Sequence, residues 1–230
     1  KAILALLRCA TIITVSTEHL QKVYATITDK PIAVIPNAFD DHIFMANRKG
    51  HEHKNLVLWR GTNTHLDDLE EIQGQLATAA QAVTGYDFLF WGFKPGFIDR
   101  ALAGTPNKCT YEMSVDPVIY FYQLYNMAPK VVMVPLMDHQ FNRCKSNCAW
   151  LEAMWAGSIV VAPNWPEWQQ PGILNYSSPN DFGDILKKAI LSTPEEIALL
   201  NQQGWEHVRS NFLLSQINTI RKDILDQLIK

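Results

Sequence analysis

The most concentrated group of residues that could do chemistry lies in the run MDHQFNRCKSNCAWLEAMWAG, residues 137–157. Ser146 is a residue type that caps helices at the N-terminus, and Gly157 is a typical helix terminator, so a helix is predicted between them. Its first N–H groups, beginning at Asn147, lack intrahelical partners and lie at the positive end of the helix dipole. With the cation of Lys145 beside them, they predict a phosphate-binding site.

Glu152 lies on the same predicted helix, and every residue three or four positions away from it is uncharged. An ionised carboxylate in such apolar surroundings is costly unless something donates hydrogen bonds to it. The 2′ and 3′ hydroxyls of a ribose would serve, as they do for acidic residues in dinucleotide-binding folds. The alternative is an exposed glutamate on a half-buried helix, with no binding role.

A second polar loop follows the predicted strand Leu56–Trp59. Arg60 opens this loop, and its planar guanidinium suits the oxygens of a phosphate. Gly61 and Thr62 come next, and Thr62 offers a hydroxyl at the start of the following helix. His65 either donates to a phosphate when protonated, a form that an adjacent dianion favours, or makes a structural hydrogen bond near the helix N-terminus.

The chain as a whole alternates short β-branched runs with amphipathic stretches of ten or more residues. This alternation predicts an α/β fold, a Rossmann-like parallel sheet flanked by helices. The predicted strands are Ile12–Val15, Ile32–Ile35, Leu56–Trp59, Asp87–Trp91, Lys108–Tyr111, Lys130–Pro135 and Ser158–Ala162. The predicted helices are Thr17–Ile27, His65–Val83, Asp116–Met127, Asn147–Ala156, Pro179–Leu191, Pro194–Ser210 and Ser215–Ile229.

Ligands of open parallel sheets bind beyond the carboxyl ends of the strands, where loops lead into helices. Three loops meet this condition, residues 60–65, 91–96 and 136–146. The aromatic run Phe88–Phe93 covers the end of one of these strands and the glycine turn after it, and we interpret its rings as core rather than as stacking partners of a base.

The stretch Leu151–Ala162, LEAMWAGSIVVA, resembles the LEAMAxGxPVVA signature of the retaining GT-B glycosyltransferases of family four. The resemblance implies that Glu152 binds the ribose of a nucleotide-sugar donor. In that family a second glutamate lies eight positions earlier and contacts the donor sugar, whereas this sequence has Cys144 there. The run Phe141–Asn147, FNRCKSN, is instead similar to a variant branch with a Lys-Ser pair where the phosphates lie.

Other segments carry the same resemblance. Ile35–Asp40, IPNAFD, is similar to the IPNGVD segment found before the second domain of the family. Arg60 matches an arginine and His65 takes the place of a lysine, two residues that clamp the donor diphosphate, while the region of Tyr111–Val115 holds the base. The candidate catalytic residues are Arg60 and Lys145, and the candidate donor-binding residues are Gly61, Thr62, His65, Tyr111, Val115, Phe141, Asn142, Ser146, Asn147 and Glu152.

The resemblance also divides the chain into two parts. Residues 1–50 look like the last strand and helix of an acceptor domain with a linker, and residues 51–230 look like the donor-binding domain. The polar stretch Ala46–Lys54 has the composition of a linker, which places the boundary near residue 50. Residues 1–10 are interpreted as the cut end of a longer chain, so a preceding domain or a second copy is an expected partner.

Composition excludes several classes of protein. The formal net charge is −3 with no long run of Lys or Arg, so a nucleic-acid partner is not expected. No apolar stretch approaches the ~20 residues that span a bilayer, so no transmembrane segment is expected. The four cysteines form no C-x-x-C pair, which favours a reducing, cytoplasmic setting, with peripheral membrane association of a full-length enzyme left open.

No cofactor or metal ion is expected, because the sequence lacks an Asp-x-Asp pair, a Gly-x-x-x-x-Gly-Lys loop and a Gly-x-Gly-x-x-Gly fingerprint. The resemblance implies a metal-independent glycosyltransferase that moves a sugar from a nucleotide-sugar to a saccharide, lipid or protein acceptor with retention. Two alternatives stay open. One is a non-catalytic nucleotide-sugar-binding module, and the other is a GT-B epimerase acting on a nucleotide-linked N-acetylhexosamine.

Overall fold

A computed structural model describes residues 2–42 and 52–229 of the chain. These residues form two compact units. The smaller unit contains the described residues up to His42, Asp138–Cys148 and the residues from Val208 onward, and the larger unit contains the residues from Glu52 to Met137 and Ala149–His207. The predicted linker Ala46–Lys54 and the boundary near residue 50 fall mainly on residues 43–51, outside the described residues, and both stay predictions.

Ten α-helices and eight strands are described in these residues, together with two short 3₁₀ helices, Asn63–His65 and Pro166–Trp168. The strands are β1 (Ile13–Val15), β2 (Ile32–Val34), β3 (Lys54–Arg60), β4 (Asp87–Trp91), β5 (Lys108–Glu112), β6 (Pro129–Met133), β7 (Ile159–Pro163) and β8 (Ile173–Tyr176). The helices are α1 (Ala2–Cys9), α2 (Glu18–Tyr24), α3 (Leu66–Gln81), α4 (Gly96–Leu102), α5 (Pro117–Met127), α6 (Gln140–Arg143), α7 (Cys148–Trp155), α8 (Pro179–Leu191), α9 (Pro194–Asn211) and α10 (Leu214–Ile229). None of these helices is both long and apolar enough to cross a membrane.

The larger unit is built on a six-stranded sheet in the order β5-β4-β3-β6-β7-β8, in which every neighbouring pair is parallel. The four inner strands, β4, β3, β6 and β7, carry buried apolar runs, as expected where both faces of a parallel sheet are covered by helices. Phe88 and Phe90 of β4 are completely buried, and so is Phe182 of α8. The predicted fold class is therefore confirmed, and the aromatic run of β4 is core as expected.

The smaller unit contains a two-stranded parallel sheet of β1 and β2. Thr17, 2% exposed, caps α2 by accepting a hydrogen bond from the Leu20 N–H at 3.1 Å. Farther along, Phe39 forms a parallel bridge with Leu213. Ala38, which stands where the resembling motif has glycine, is not among the described residues with positive φ, so its backbone carries no such strain.

Most predicted elements match the structure closely, and β4 and α8 match end to end. Four of the described α-helices and strands were not predicted, namely α1, α4, α6 and β8. α4 and α6 have only seven and four residues, too few for a helical pattern to stand out. β8 is a four-residue edge strand, and Asn175 interrupts its apolar run.

Two glycines on neighbouring helices of the larger unit allow a matched test of the packing between α3 and α8. A Cβ at Gly183 of α8 would lie 2.8 Å from the carbonyl oxygen of Gln75, whereas a Cβ at Gly74 of α3 would meet no atom within 4 Å. We expect Gly183→Ala to lower the free energy of unfolding by about 1–3 kcal/mol through overpacking. Gly74→Ala should raise it by about 0.5–1 kcal/mol, because alanine favours the helix. Urea unfolding followed by circular dichroism measures both, and changes of the same sign would contradict the described packing.

Candidate functional site

The carboxyl ends of β3, β4 and β5 lie side by side in the larger unit. Arg60, Trp91 and Glu112 are the last residues of these strands and are paired in register. The backbone pairing continues one step beyond the strands, because the Gly61 N–H donates to the Trp91 carbonyl at 3.0 Å and the Gly92 N–H donates to the Glu112 carbonyl at 2.8 Å. The three loops that follow therefore start from fixed positions.

Gly92 is required where the loops after β3, β4 and β5 meet. Its φ is +97°, a conformation that residues with a Cβ avoid. A Cβ there would also lie 2.5 Å from the Gly61 carbonyl oxygen and 3.0 Å from the Ser114 Oγ. The Trp91 indole N–H donates to the Met113 carbonyl at 2.9 Å, which holds the third loop against the end of β4.

Arg60 and Glu152 form an ion pair in the larger unit, with 2.6 Å between Arg60 Nη2 and Glu152 Oε2. Their side chains are only 28% and 16% exposed, so both charges are partly shielded from water. The helix neighbours of Glu152 are uncharged, as its position in the sequence indicates, and its cationic partner comes instead from β3. The structure thus brings together two of the predicted site residues.

Tyr120 of α5 completes this cluster. Its hydroxyl donates to Glu152 Oε2 at 2.6 Å, its ring stacks on Trp91 with 4.7 Å between centroids, and Arg60 Cζ lies 5.6 Å from its ring centroid. Burial raises the pKa of Tyr120 well above its usual range, so the phenol remains a hydrogen-bond donor. Arg60 is therefore held by a carboxylate and by an aromatic face at the same time.

Neither Tyr120 nor Trp91 was predicted as a site residue. Tyr120 stands in the aromatic run Tyr120–Tyr122 of α5, where helical periodicity does not distinguish a ring that faces polar groups from one that faces the core. The available signal was topological, since the start of α5 follows the carboxyl end of β5 and ligands bind at that edge of a sheet.

His65 makes a structural hydrogen bond, one of the two alternatives that its sequence position left open. Its Nδ1 lies 2.7 Å from Asp68 Oδ2, and Asp68 is 2% exposed in the first turn of α3. The second carboxylate oxygen, Asp68 Oδ1, accepts from the Met137 N–H at 2.8 Å. The role of His65 toward a phosphate stays a prediction.

Gly61 and Thr62 lie beside Arg60 as expected from their order in the chain. A Cβ at Gly61 would come within 2.7 Å of the Trp59 ring, so a side chain is not accommodated there without movement. The exposed hydroxyl of Thr62 is 2.8 Å from that of Thr64. Tyr111 is 47% exposed at the end of β5, and Val115 is half-buried in the loop that follows.

The predicted phosphate loop is described within the smaller unit. α7 begins at Cys148, one residue later than predicted, which leaves Asn147 and not Ser146 directly before the helix. The Ser146 hydroxyl accepts a hydrogen bond from the Asn37 side chain at 2.6 Å. Thr17 donates its hydroxyl to the Cys144 carbonyl at 3.2 Å. Two residues from the beginning of the chain thus hold this loop.

The remaining candidates in this loop differ in their exposure. Phe141 is 64% exposed, and Lys145 Nζ lies 5.1 Å from its ring centroid. Asn142 and Asn147 are 1% and 2% exposed, so their side chains are buried. In this conformation their predicted contact with a donor is limited to their backbone groups.

All four cysteines lie in the described part of the chain, and none forms a disulfide. Burial raises the pKa of Cys144, so its thiol is less readily ionised than an exposed one. Within residues 2–42 and 52–229, no group of three or more His, Cys, Asp or Glu residues is arranged to hold a metal ion.

Known structures of similar fold include glycosyltransferases of the GT-B type. The pneumococcal O-GlcNAc transferase GtfA, solved with UDP and GlcNAc, is 15% identical with a TM-score of 0.64, and the match covers 100% of this chain and 47% of GtfA. A mutant of S. aureus TarM, solved with fondaparinux, α-GlcNAc-glycerol and UDP, is 13% identical with a TM-score of 0.71, and the match covers 98% of this chain and 45% of TarM.

Anabaena HepE, solved with UDP and glucose, is 15% identical with a TM-score of 0.70, and the match covers 98% of this chain and 66% of HepE. This chain spans about half the length of GtfA and TarM. No family model and no curated protein sequence matches it. At such low identity the likeness shows the fold, a GT-B Rossmann-like domain.

Tyr120→Phe tests the described cluster directly. The substitution removes the hydroxyl that bonds to Glu152 and keeps the ring that stacks on Trp91. We expect the free energy of unfolding to fall by about 1.5–3 kcal/mol, the range for hydrogen bonds to charged groups. Tyr122→Phe is the matched control, since Tyr122 lies on the same helix and is 71% exposed. Equal stability of the two variants in urea would show that the Tyr120 hydroxyl contributes nothing.

Proposed function

We propose that this chain is the donor-binding part of a glycosyltransferase, which transfers a sugar from a nucleotide-sugar to a saccharide, lipid or protein acceptor. The observation that carries the proposal is the cluster of Arg60, Glu152 and Tyr120 beyond the carboxyl end of β3. Ligands of parallel α/β sheets bind at that edge. The glycosyltransferase fold, and the UDP present in three of the similar structures, support the same class of donor.

In this proposal Arg60 binds the diphosphate and Glu152 accepts hydrogen bonds from the ribose hydroxyls. The guanidinium offers several donors in a fixed plane, so Arg60 can contact a phosphate while another N–H remains on Glu152. A carboxylate likewise has two acceptor oxygens, and the described contacts of Glu152 with Arg60 and Tyr120 both use Oε2. The described bonds are therefore compatible with nucleotide contacts made by the same two side chains.

Transfer of the sugar leaves negative charge on the nucleoside diphosphate. Donors that are already in place stabilise that charge more in the transition state than in the ground state, and this difference is what accelerates the reaction. We assign this role to Arg60 and, on the sequence argument, to Lys145 with the N–H groups near Ser146 and Asn147. Such an arrangement needs no metal ion. Retention of the anomeric configuration is part of the proposal through the family resemblance.

The second candidate function is a non-catalytic module that binds a nucleotide-sugar. The observation that favours it is Cys144, which stands where the resembling family has its sugar-binding glutamate. Burial raises the pKa of the Cys144 thiol, so this residue does not supply the negative charge that a glutamate would bring to the donor sugar. Donor binding without hydrolysis or transfer would support this alternative.

Nucleotide binding without a metal ion is the first test. UDP or GDP at a hundred times its dissociation constant should stabilise the chain by roughly 2.7 kcal/mol, with the same shift in melting temperature when a chelator is added. Inorganic pyrophosphate is the control for unspecific diphosphate binding. A shift that disappears with the chelator would refute metal independence, and no shift with UDP or GDP would refute the proposed donor class.

Glu152→Gln tests the ribose assignment. The variant keeps the size of the side chain and removes the charge, so affinity for the bound nucleotide should fall by about 1.5–3 kcal/mol. Its preference for the ribonucleotide over the 2′-deoxy form, measured by calorimetric titration, should largely disappear. Folding stability should fall by about 1–2 kcal/mol, because Arg60 loses its ionic partner.

Glu195→Gln is the matched control for that experiment, because Glu195 is an exposed glutamate in the first turn of α9 and is not one of the candidate site residues. It should alter neither nucleotide affinity nor the preference for the ribonucleotide. If Glu152→Gln is less stable but discriminates against the deoxy nucleotide as well as the parent chain does, Glu152 only supports Arg60 and does not bind the ribose.

A further inference from the structure

We propose that Asp68 is a positioning residue that orients the imidazole of His65 to donate a hydrogen bond from Nε2 to a phosphate of the nucleotide. The inference rests on the proposed function. It starts from Asp68 itself, a carboxylate that is 2% exposed in the first turn of α3. Burial of a carboxylate is costly unless its oxygens are hydrogen-bonded.

The two oxygens of Asp68 have separate partners. Oδ1 accepts from the Met137 N–H at 2.8 Å, and Oδ2 lies 2.7 Å from His65 Nδ1. A carboxylate accepts and does not donate, so the proton of this second contact belongs to Nδ1 of the imidazole. That bond fixes the orientation of the ring and keeps a proton on Nδ1, the role that carboxylates play behind metal-binding and catalytic histidines.

The ring of His65 is held on further sides and still reaches solvent. It lies edge-on to Trp59, with 6.0 Å between centroids and 84° between planes. Its Cδ2 would be 3.2 Å from a Cβ at Gly61, so the glycine leaves room for it. The side chain remains 22% exposed. In an imidazole Nε2 lies across the ring from Nδ1, so the bond to Asp68 aims Nε2 away from α3's buried carboxylate.

The pair of His65 and Asp68 lies near the edge of the sheet where we propose that the phosphates bind. His65 ends the short 3₁₀ helix Asn63–His65 in the loop that Arg60 opens, at the carboxyl end of β3. An imidazole that donates from both nitrogens is a cation, and a carboxylate on one side with a phosphate on the other stabilises that form. A lysine at this place would carry its charge alone. A histidine needs the carboxylate, which accounts for an acidic residue buried behind it.

The test compares affinity for a nucleoside diphosphate with affinity for the nucleoside that lacks phosphates. UDP and GDP are titrated calorimetrically into the full chain, and uridine and guanosine are followed by ligand-observed NMR. Asp68→Asn keeps the shape and an acceptor for the Met137 N–H. It should weaken the diphosphate about tenfold, through loss of a charge-assisted bond, and leave the nucleoside unchanged. Asp67→Asn, the same charge change at an exposed position of the same turn, should alter neither.

A rescue distinguishes positioning from structural support. Because a lysine needs no carboxylate to stay charged, the double variant His65→Lys/Asp68→Asn should bind the diphosphate several-fold more tightly than Asp68→Asn alone. Equal losses for diphosphate and nucleoside, or no rescue, would overturn the inference and leave Asp68 as a support of the loop at Met137. If Asp68→Asn does not fold, His65→Gln must show the phosphate-specific loss. A parent chain that binds neither UDP nor GDP refutes the proposed function instead.

Discussion

The ion pair between Arg60 and Glu152 requires the surrounding strands and helices to hold both charged side chains in place. Two side chains at 28% and 16% exposure lose part of their hydration, and this loss is tolerated only when the charges are held at hydrogen-bonding distance. β3 fixes Arg60 by making it the last residue of a central strand, and α7 fixes Glu152 on a helix whose neighbouring residues are buried. Tyr120 of α5 donates to the same carboxylate, so β3, α7 and α5 all contribute a side chain to this one cluster.

The loops of the larger unit are positioned by the same kind of contact. A side chain from a packed element reaches the backbone of a loop: Asp68 accepts from Met137, the Tyr176 hydroxyl accepts from the Leu136 N–H at 2.8 Å, and Trp91 donates to Met113. Loops lack a regular ladder of their own, so such bonds give their backbone groups partners and fix the course of the loop. The loops that must carry chemistry are thus fixed by residues whose own contribution is structural.

Patterns along the chain predict the elements of this fold because each strand of a covered parallel sheet is a short apolar run between polar loops. These patterns do not predict a strand that contains a polar residue held by side-chain hydrogen bonds. Asn175 lies within β8, and its amide donates to the carbonyls of Pro163 and Trp168, both at 3.0 Å. This polar residue breaks the apolar run by which a strand is predicted. The patterns fail as well for contacts between distant segments, such as Asn37 with Ser146 across 109 positions.

The sequence predicts that Glu152 needs a partner, but it does not identify the partner. An isolated carboxylate among apolar helix neighbours does require a partner, and the structure supplies two. Helical spacing describes only the surface of one helix, so it could not name Arg60 or Tyr120. The same spacing did contain the His65 and Asp68 pair, three positions apart, but an i,i+3 pair by itself does not reveal that one member is buried. Tertiary packing buries Asp68, and a buried carboxylate can hold the imidazole ring in one orientation, which an exposed surface pair does not do.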